Sequence, residues 1–196
     1  MSLNVAPLAA PRGVEAGDRT AALVRAAQGG DRSAFGQLYA GFARMVHGIL
    51  LSRVPRAEVD DLVQDVFLSA MQRLASLREA ASFGGWLAAI ARNRATDYLR
   101  RAPQTTELTD ELVSHEDVSS RGFSVRAPSA PDRMEALAVL AAIRALPEAY
   151  RETLVLRLVE GMTGPEIAAR TGLTAASVRV NLHRGMKQLR ERLGFL

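Results

Sequence analysis

The sequence contains no cysteine, which excludes disulfides, cysteine-ligated zinc and thiol catalysis. Its three histidines, His47, His115 and His183, are widely spaced, which argues against a histidine metal cluster. No apolar run approaches the roughly 20 residues needed to cross a bilayer. Residues 1–17 also lack the basic and apolar segments of a signal peptide. We therefore expect a cytoplasmic protein without a metal or other cofactor.

Lysine is nearly absent, and so is the alternating pattern of polar and apolar residues that is typical of strands. Lys187 is the only lysine among 25 basic residues, a bias that we attribute to genome composition. Hydrophobic residues make up 48% of the 196 positions, enough for a packed core. The net charge of +4 gives modest support for an acidic partner such as nucleic acid.

Helical periodicity covers two parts of the chain and predicts an all-α fold with two small domains. Residues 1–17 are predicted to be a disordered N-terminal tail, and residues 18–102 a first helical domain. Residues 103–132 are rich in Thr, Ser, Pro and acids, which indicates a flexible linker. A second helical domain is predicted over residues 133–196.

The periodicity is clearest near the middle of the first domain, where apolar residues recur at three- and four-residue steps. These residues are Val59, Leu62, Val63, Val66, Phe67, Ala70, Met71 and Leu74.

The second domain contains the pattern of a helix-turn-helix. Thr163 and Glu166 have the spacing of a capping box that would start a helix near Gly164. Gly172 stands where a tight turn needs a positive φ, and Thr174 is a candidate N-cap for a second helix over residues 175–193. Such a second helix fits the major groove of DNA.

One side of this second helix is basic and would face outward, which favours DNA binding over an ordinary helical hairpin. Arg179 and Arg184 are the main candidates, although sequence alone does not separate base contacts from phosphate contacts. Val180 and Asn181 leave the preferred bases open. The residues predicted to contact duplex DNA are Thr174, Ser177, Arg179, His183, Arg184 and Lys187.

Three segments, in order, resemble the extracytoplasmic-function sigma factors of the sigma-70 family. Residues 146–193, beginning LPEAYRETLVLRL, resemble region 4, which reads the minus-thirty-five promoter element in that family. Residues 60–74, DDLVQDVFLSAMQRL, resemble region 2.2. Residues 83–101, FGGWLAAIARNRATDYLRR, resemble regions 2.3 and 2.4. The resemblance implies a subunit that binds core RNA polymerase, recognises two promoter elements and promotes DNA melting.

The resemblance also implies a site for a flipped base of the melted minus-ten element, formed by the helix over residues 86–101 and the loop before it. Trp86 could stack on a base, but we favour a place for it in the core. The implied minus-ten contacts are Phe83, Gly84, Gly85, Arg92, Asn93, Arg94, Arg100 and Arg101.

A polar face on the preceding helix is the implied docking site for polymerase. Asp61, Gln64 and Asp65 share one helix face, and in the family this face binds the clamp helices of the largest subunit. Two like charges four residues apart cost a helix a few tenths of a kcal/mol, which a basic partner would offset. Alternatively, early acids merely favour the helix N-terminus. The family also implies contact with the polymerase flap and control by an anti-sigma factor.

Two other functions compete with this interpretation. A conventional helix-turn-helix regulator would bind duplex DNA but would leave the upstream motifs unexplained. An enzyme is disfavoured because no metal-ligand cluster, phosphate-binding glycine loop or nucleophile-base pair is recognisable. The linker is consistent both with a strand that enters the polymerase cleft and with a plain tether.

Overall fold

The computed structural model describes residues 12–101 and 130–194, and these parts of the chain contain helices but no strand. The first part holds α1 (Arg12–Gln28), α2 (Arg32–Leu51), α3 (Val59–Arg73) and α4 (Phe83–Arg101). The second part holds α5 (Ala130–Arg144), α6 (Glu148–Leu158), α7 (Gly164–Thr171) and α8 (Ala175–Leu193). The prediction of an all-α fold is confirmed. Most of the predicted linker lies outside the described residues.

Helix α2 is the centre of the N-terminal domain and packs against α1, α3 and α4. It begins at the N-cap Asp31, whose carboxylate accepts the backbone N–H groups of Ser33 and Ala34. Leu38, Met45 and Ile49 recur at helical spacing and are fully buried. Because they share one stripe, α2 can serve as the core to which the other three helices are attached.

Helix α3 buries nearly the whole apolar series that its sequence pattern indicates. Seven of the eight residues are at most 8% exposed, whereas Met71 is 52% exposed. Met71 lies at the edge of the apolar stripe of α3. The periodicity therefore predicts the helix correctly but does not predict the exposure of Met71.

Three helices begin earlier than the sequence pattern predicts. Helix α1 begins at Arg12, inside the predicted tail, and α5 begins at Ala130, inside the predicted linker. Helix α4 begins at Phe83, so the segment before Trp86 that was expected to be a loop is the first helical turn. Gly84 and Gly85 disfavour a helix by about 1 kcal/mol each, but burial of Phe83 against Phe42 offsets this, with ring centroids 5.1 Å apart.

The C-terminal domain is organised around the contact between α6 and α8. Ile143, Leu154, Ile167 and Val178, one from each of its four helices, are buried together. Gly185 of α8 allows a close approach, because a Cβ atom there would lie 2.9 Å from Leu154 Cδ1.

The two domains pack directly on each other through a single continuous core. Helix α6 lies against α2, and α7 lies against both α2 and α4. A Cβ atom at Gly48 of α2 would lie only 2.7 Å from Leu156 Cδ2 of α6. We call this packing of the C-terminal domain on α2 and α4 the closed arrangement.

Gly185→Leu is expected to lower the free energy of unfolding by about 1 to 3 kcal/mol, because the new side chain overpacks the contact between α8 and α6. Gly36→Leu in α2 is the matched control, since nothing lies within 4 Å of a Cβ atom there. Urea unfolding followed by circular dichroism compares the two. Equal stabilities for both variants would contradict the close packing at Gly185.

Candidate nucleic-acid interface

Helices α7 and α8 form a helix-turn-helix whose bounds agree with the sequence prediction. Helix α7 ends at Thr171 and is followed by the C-cap Gly172, whose φ of +76° is a left-handed conformation that favours glycine. Helix α8 then runs over Ala175–Leu193. The side chain of Leu173 is half-buried between them. The sharp turn places α8 with one face on the domain and the other toward solvent.

Both helices of this unit begin with side-chain caps. The Thr163 backbone N–H donates to Glu166 Oε2 at 2.8 Å, and the Glu166 N–H donates to Thr163 Oγ1 at 3.4 Å, which completes a capping box. The hydrogen bonds donated by the Thr163 backbone and hydroxyl lower the pKa of Glu166. The Ser177 N–H donates to Thr174 Oγ1 at 3.1 Å at the start of α8. Both predicted caps are confirmed.

The outer face of α8 displays the predicted duplex-DNA residues. Thr174, Ser177, Arg179, His183, Arg184 and Lys187 are all exposed. The opposite face buries Val178 and Leu189. Within residues 12–101 and 130–194, none of the three cations of this set, Arg179, Arg184 and Lys187, forms an ion pair. This face is therefore a free positive surface next to the turn of the motif.

The predicted minus-ten residues of α4 fall into three environments. Asn93, Arg100 and Arg101 are exposed, and Arg100 Nη2 donates to Asp97 at 2.9 Å on its own helix. Gly85, Arg92 and Arg94 are half-buried. Phe83 and Gly84 are buried. Trp86 is half-buried and packs on Phe83 with centroids 5.9 Å apart, in keeping with a core role.

The start of α4 is covered by the C-terminal domain. A Cβ atom at Gly84 would lie 2.6 Å from the backbone oxygen of Arg170 in α7. At the neighbouring position, a Cβ atom at Gly85 would lie 3.3 Å from Gly172 Cα. Arg170 also donates to the Gly41 carbonyl at 2.7 Å. In the closed arrangement, this part of α4 therefore faces protein rather than solvent.

Arg92 is engaged by a carboxylate of the other domain. Its Nε and Nη2 donate to the two oxygens of Glu152 at 3.0 and 2.7 Å. Arg92 Nη2 also donates to the Thr171 carbonyl at 3.3 Å. The hydrogen bond to Glu152 raises the pKa of Arg92 further above its ordinary value, so the guanidinium stays charged. This bidentate pairing is the geometry in which arginine also binds phosphate.

The predicted polymerase face is partly free. Asp61 and Gln64 are exposed on α3. Asp65 is half-buried, and its Oδ2 accepts a hydrogen bond from Arg94 Nη2 at 2.7 Å. One residue predicted to bind polymerase, Asp65, is therefore hydrogen-bonded to one residue predicted to bind the minus-ten element, Arg94.

The polar contacts between the domains were not anticipated from the sequence. Arg53 of the N-terminal domain pairs with Glu148 and Glu152, and His47 Nδ1 lies 2.6 Å from Glu160 Oε1. Glu152 and Glu160 are only 6% and 7% exposed. Glu152 lies on α6 and Glu160 just after it, and nothing in the sequence near either residue reveals its partner.

No helix in residues 12–101 and 130–194 is long and apolar enough to cross a membrane. No group of three or more histidine, cysteine or acidic side chains in the same residues is placed to hold a metal ion.

Two protein families match the chain, in the order of its two domains. The family described as Sigma-70 region 2 matches residues 38–104. The family described as Sigma-70, region 4 matches residues 136–189. Both matches lie on the helices described above, the first on α2, α3 and α4 and the second on α5 to α8.

Individual relatives match over most of their length. The RNA polymerase sigma factor CarQ of Myxococcus xanthus is 34% identical over 168 residues, which cover 85% of this chain and 93% of the relative. The ECF RNA polymerase sigma-E factor of Escherichia coli K12 is 31% identical, covering 85% of this chain and 90% of the relative. A solved structure of CnrH in complex with the cytosolic domain of CnrY is similar with a TM-score of 0.61 and 26% identity, covering 90% of this chain and 98% of CnrH.

Thr163→Ala is expected to destabilise the C-terminal domain by about 1 kcal/mol, because the first turn of α7 loses its cap. Thermal unfolding measures the difference. Thr96→Ala in the middle of α4 is the control, since Thr96 only donates to the Arg92 carbonyl of its own helix and caps nothing. A loss no larger than that of the control would show that the capping box is not stabilising.

The same cap predicts a pH dependence with a defined sign. Because the folded state lowers the pKa of Glu166 below its ordinary value of 4.5, its contribution is fully present above that pH and is lost as the pH falls through the lower folded value. Glu166→Gln should therefore be less stable than the unaltered chain at neutral pH, and the gap should narrow below pH 4.5. Melting temperatures of both proteins across this range check the sign; a gap that widens on acidification would contradict it.

Proposed function

The chain belongs to the sigma-70 family of RNA polymerase sigma factors, in its extracytoplasmic-function branch, and we propose how its faces share the work of promoter recognition. A sigma factor binds core RNA polymerase, recognises the minus-ten and minus-thirty-five promoter elements and promotes DNA melting. The observation that carries this function is the presence of both family regions in one chain, in order. A regulator that binds only duplex DNA would need the helix-turn-helix alone.

Helix α8 binds the minus-thirty-five element as duplex DNA in this proposal. Its outer face is exposed and basic, and the N-terminal part of a recognition helix lies nearest the base edges. Arg179 and Arg184 lie in that half of α8 and are the main contacts, whereas Lys187 lies one turn further and suits a phosphate. The cap hydroxyls of Thr174 and Ser177, 2.8 Å apart, lie at the end that would enter the groove.

Helix α4 binds the melted minus-ten element in this proposal. Asn93 offers an amide to an unpaired base, and the arginines beside it offer charge to the phosphates. Arg100 and Arg101 are available in the closed arrangement. Gly84, Gly85 and Arg92 become available only when the C-terminal domain leaves α4, because they contact that domain. Phe83 is buried against Phe42 of its own domain.

Helix α3 docks on core polymerase through Asp61 and Gln64, with Asp65 beside them. Exposed acids suit the basic surface that the family resemblance implies on the clamp helices, and region 4 would contact the flap. The family is a non-enzymatic one of transcription initiation. We propose accordingly that this chain catalyses no covalent chemistry of its own.

A protein partner that covers the chain is also proposed. CnrH was solved in complex with the cytosolic domain of CnrY, and the family resemblance implies an anti-sigma factor. The surface offers apolar side chains for such a partner to cover, because Leu68 and Met71 on α3 and Leu158 and Val159 at the end of α6 are exposed.

Arg179→Ala combined with Arg184→Ala is expected to remove about 2 to 6 kcal/mol of binding to the upstream element, since each arginine lost from a base contact costs roughly 1 to 3 kcal/mol. The measurement is footprinting with reconstituted polymerase on promoters recovered from the genome. Arg19→Ala combined with Arg25→Ala on α1 is the matched control, with the same change of net charge at two exposed arginines. An equal loss of binding for the two pairs would contradict specific recognition by α8 and would leave only a nonspecific effect of positive charge.

Asp61→Arg is expected to weaken capture of core polymerase by about tenfold, because an attractive charge becomes a repulsive one at the docking face. Co-purification or surface binding with core enzyme measures it. Asp18→Arg on α1, an exposed acid outside the docking face, is the control. Unchanged binding of the Asp61 variant would refute the assignment of α3.

A further inference from the structure

We infer that Met71 is an oxidisable site in the docking face of α3: a peroxide converts its thioether to the sulfoxide, and the oxidised chain binds core polymerase more weakly. This inference rests on the proposed function of α3 as the helix that docks on polymerase. It adds a redox response to a chain that has no cysteine.

Exposure to solvent separates Met71 from most of the other methionines. Met45 and Met162 are at most 4% exposed, and Met186 is half-buried against the core. Met71 is 52% exposed, and Met134 of α5 is 59% exposed. A dissolved peroxide reaches a sulfur atom only where solvent reaches it. Within residues 12–101 and 130–194, Met71 and Met134 are therefore the methionines that a mild peroxide oxidises first.

Met71 lies on the same side of α3 as the residues of the docking face. Asp61, Gln64, Leu68 and Met71 follow one another at steps of three, four and three residues, so they form one row along the helix. All four side chains are exposed. The row spans about 15 Å, at 1.5 Å of rise per residue. A partner that lies along α3 and contacts Asp61 and Gln64 therefore also meets Leu68 and Met71.

The C-terminal half of this row is apolar. Leu68 and Met71 are each about half exposed, at 51% and 52%, so both side chains have apolar surface left to bury. Methionine is also flexible and polarisable, which suits a contact that must adapt to a partner surface. In the docked complex, the polar half of the row fixes orientation and the apolar half loses its water. The thioether of Met71 thus lies in the dehydrated part of the contact.

The reaction with a peroxide changes the polarity of this side chain. A lone pair of the sulfur attacks one oxygen of hydrogen peroxide, the O–O bond breaks as the S–O bond forms, and the second oxygen leaves as water with both protons. The sulfur loses two electrons and the peroxide gains them. The product is a polar sulfoxide. Burying its oxygen without a hydrogen-bond donor should weaken docking by about tenfold.

Oxidation of the free chain, before polymerase is added, tests the inference. The full chain is treated with hydrogen peroxide, the peroxide is removed with catalase, and capture of core polymerase is compared with that of the same protein untreated. Peptide mass mapping gives the oxidised fraction of each methionine. We expect about tenfold weaker capture once Met71 is oxidised. Treatment with methionine sulfoxide reductases and a thiol reductant should restore it.

Three variants assign the effect to one sulfur atom. Met71→Leu keeps an apolar side chain without sulfur, and its capture after peroxide should equal its own capture before. Met134→Leu is the matched control, because it removes the other exposed thioether from a helix of the other domain, and it should lose as much as the unaltered chain. Met71→Gln carries a polar oxygen without any oxidant and should bind weakly from the start. Circular dichroism checks that each variant keeps its helices.

The inference is overturned if Met71→Leu loses as much affinity on oxidation as the unaltered chain does. It is also overturned if the unaltered chain keeps its affinity with Met71 oxidised, or if Met134 is oxidised while Met71 stays reduced. Asp61→Arg in the same assay separates this inference from the proposed function. Normal capture by Asp61→Arg contradicts docking through α3, whereas weak capture by Asp61→Arg with no effect of oxidation contradicts the redox response alone.

Discussion

The carboxylate of Glu152 is buried between two domains, and a buried charge is tolerated only where opposite charges and hydrogen bonds replace water. Arg92 and Arg53 supply both. Removing one partner of a buried ion pair lowers the free energy of unfolding by about 3 to 5 kcal/mol. The pairing of Glu152 therefore holds α6 close to α2 and α4. The glycine contacts at Gly48 and Gly84 follow from that proximity, since only residues without a side chain fit there. The position of the C-terminal domain thus depends on this ionic group together with the apolar core that continues between the domains.

The same group links fold to function. Arg92 belongs to the face that is assigned to melted DNA, and a cation held by an internal carboxylate is not free for a phosphate. Arg94, another residue of the predicted minus-ten face, pairs with Asp65 of α3, which is part of the predicted docking face for polymerase. In the proposed function, contacts with DNA and polymerase would replace these ionic contacts inside the chain.

Local rules predicted much of the helix-turn-helix, whereas contacts distant in sequence could not be predicted. The left-handed turn at Gly172 and the cap at Thr174 follow from the chemistry of single residues and their near neighbours, and the limits of α8 follow from them. The start of α4 was misplaced because Gly84 and Gly85 disfavour a helix locally, while the packing of Phe83 on Phe42 supports one. The pairing of Arg92 with Glu152 spans 60 positions and leaves no periodic trace. The functional residues on α3 and α4 came from family resemblance, those on α8 came from the basic outer face of the helix-turn-helix, and all of them remain predictions.

A promoter-specificity subunit differs from a helix-turn-helix regulator in what it does to polymerase that has no other sigma factor. Run-off transcription with purified core enzyme and this chain alone, on promoter fragments recovered by footprinting, measures that difference directly. The account predicts transcripts of defined length that begin at one position and vanish when the chain is omitted. Transcripts that appear only after a second sigma factor is added would contradict it.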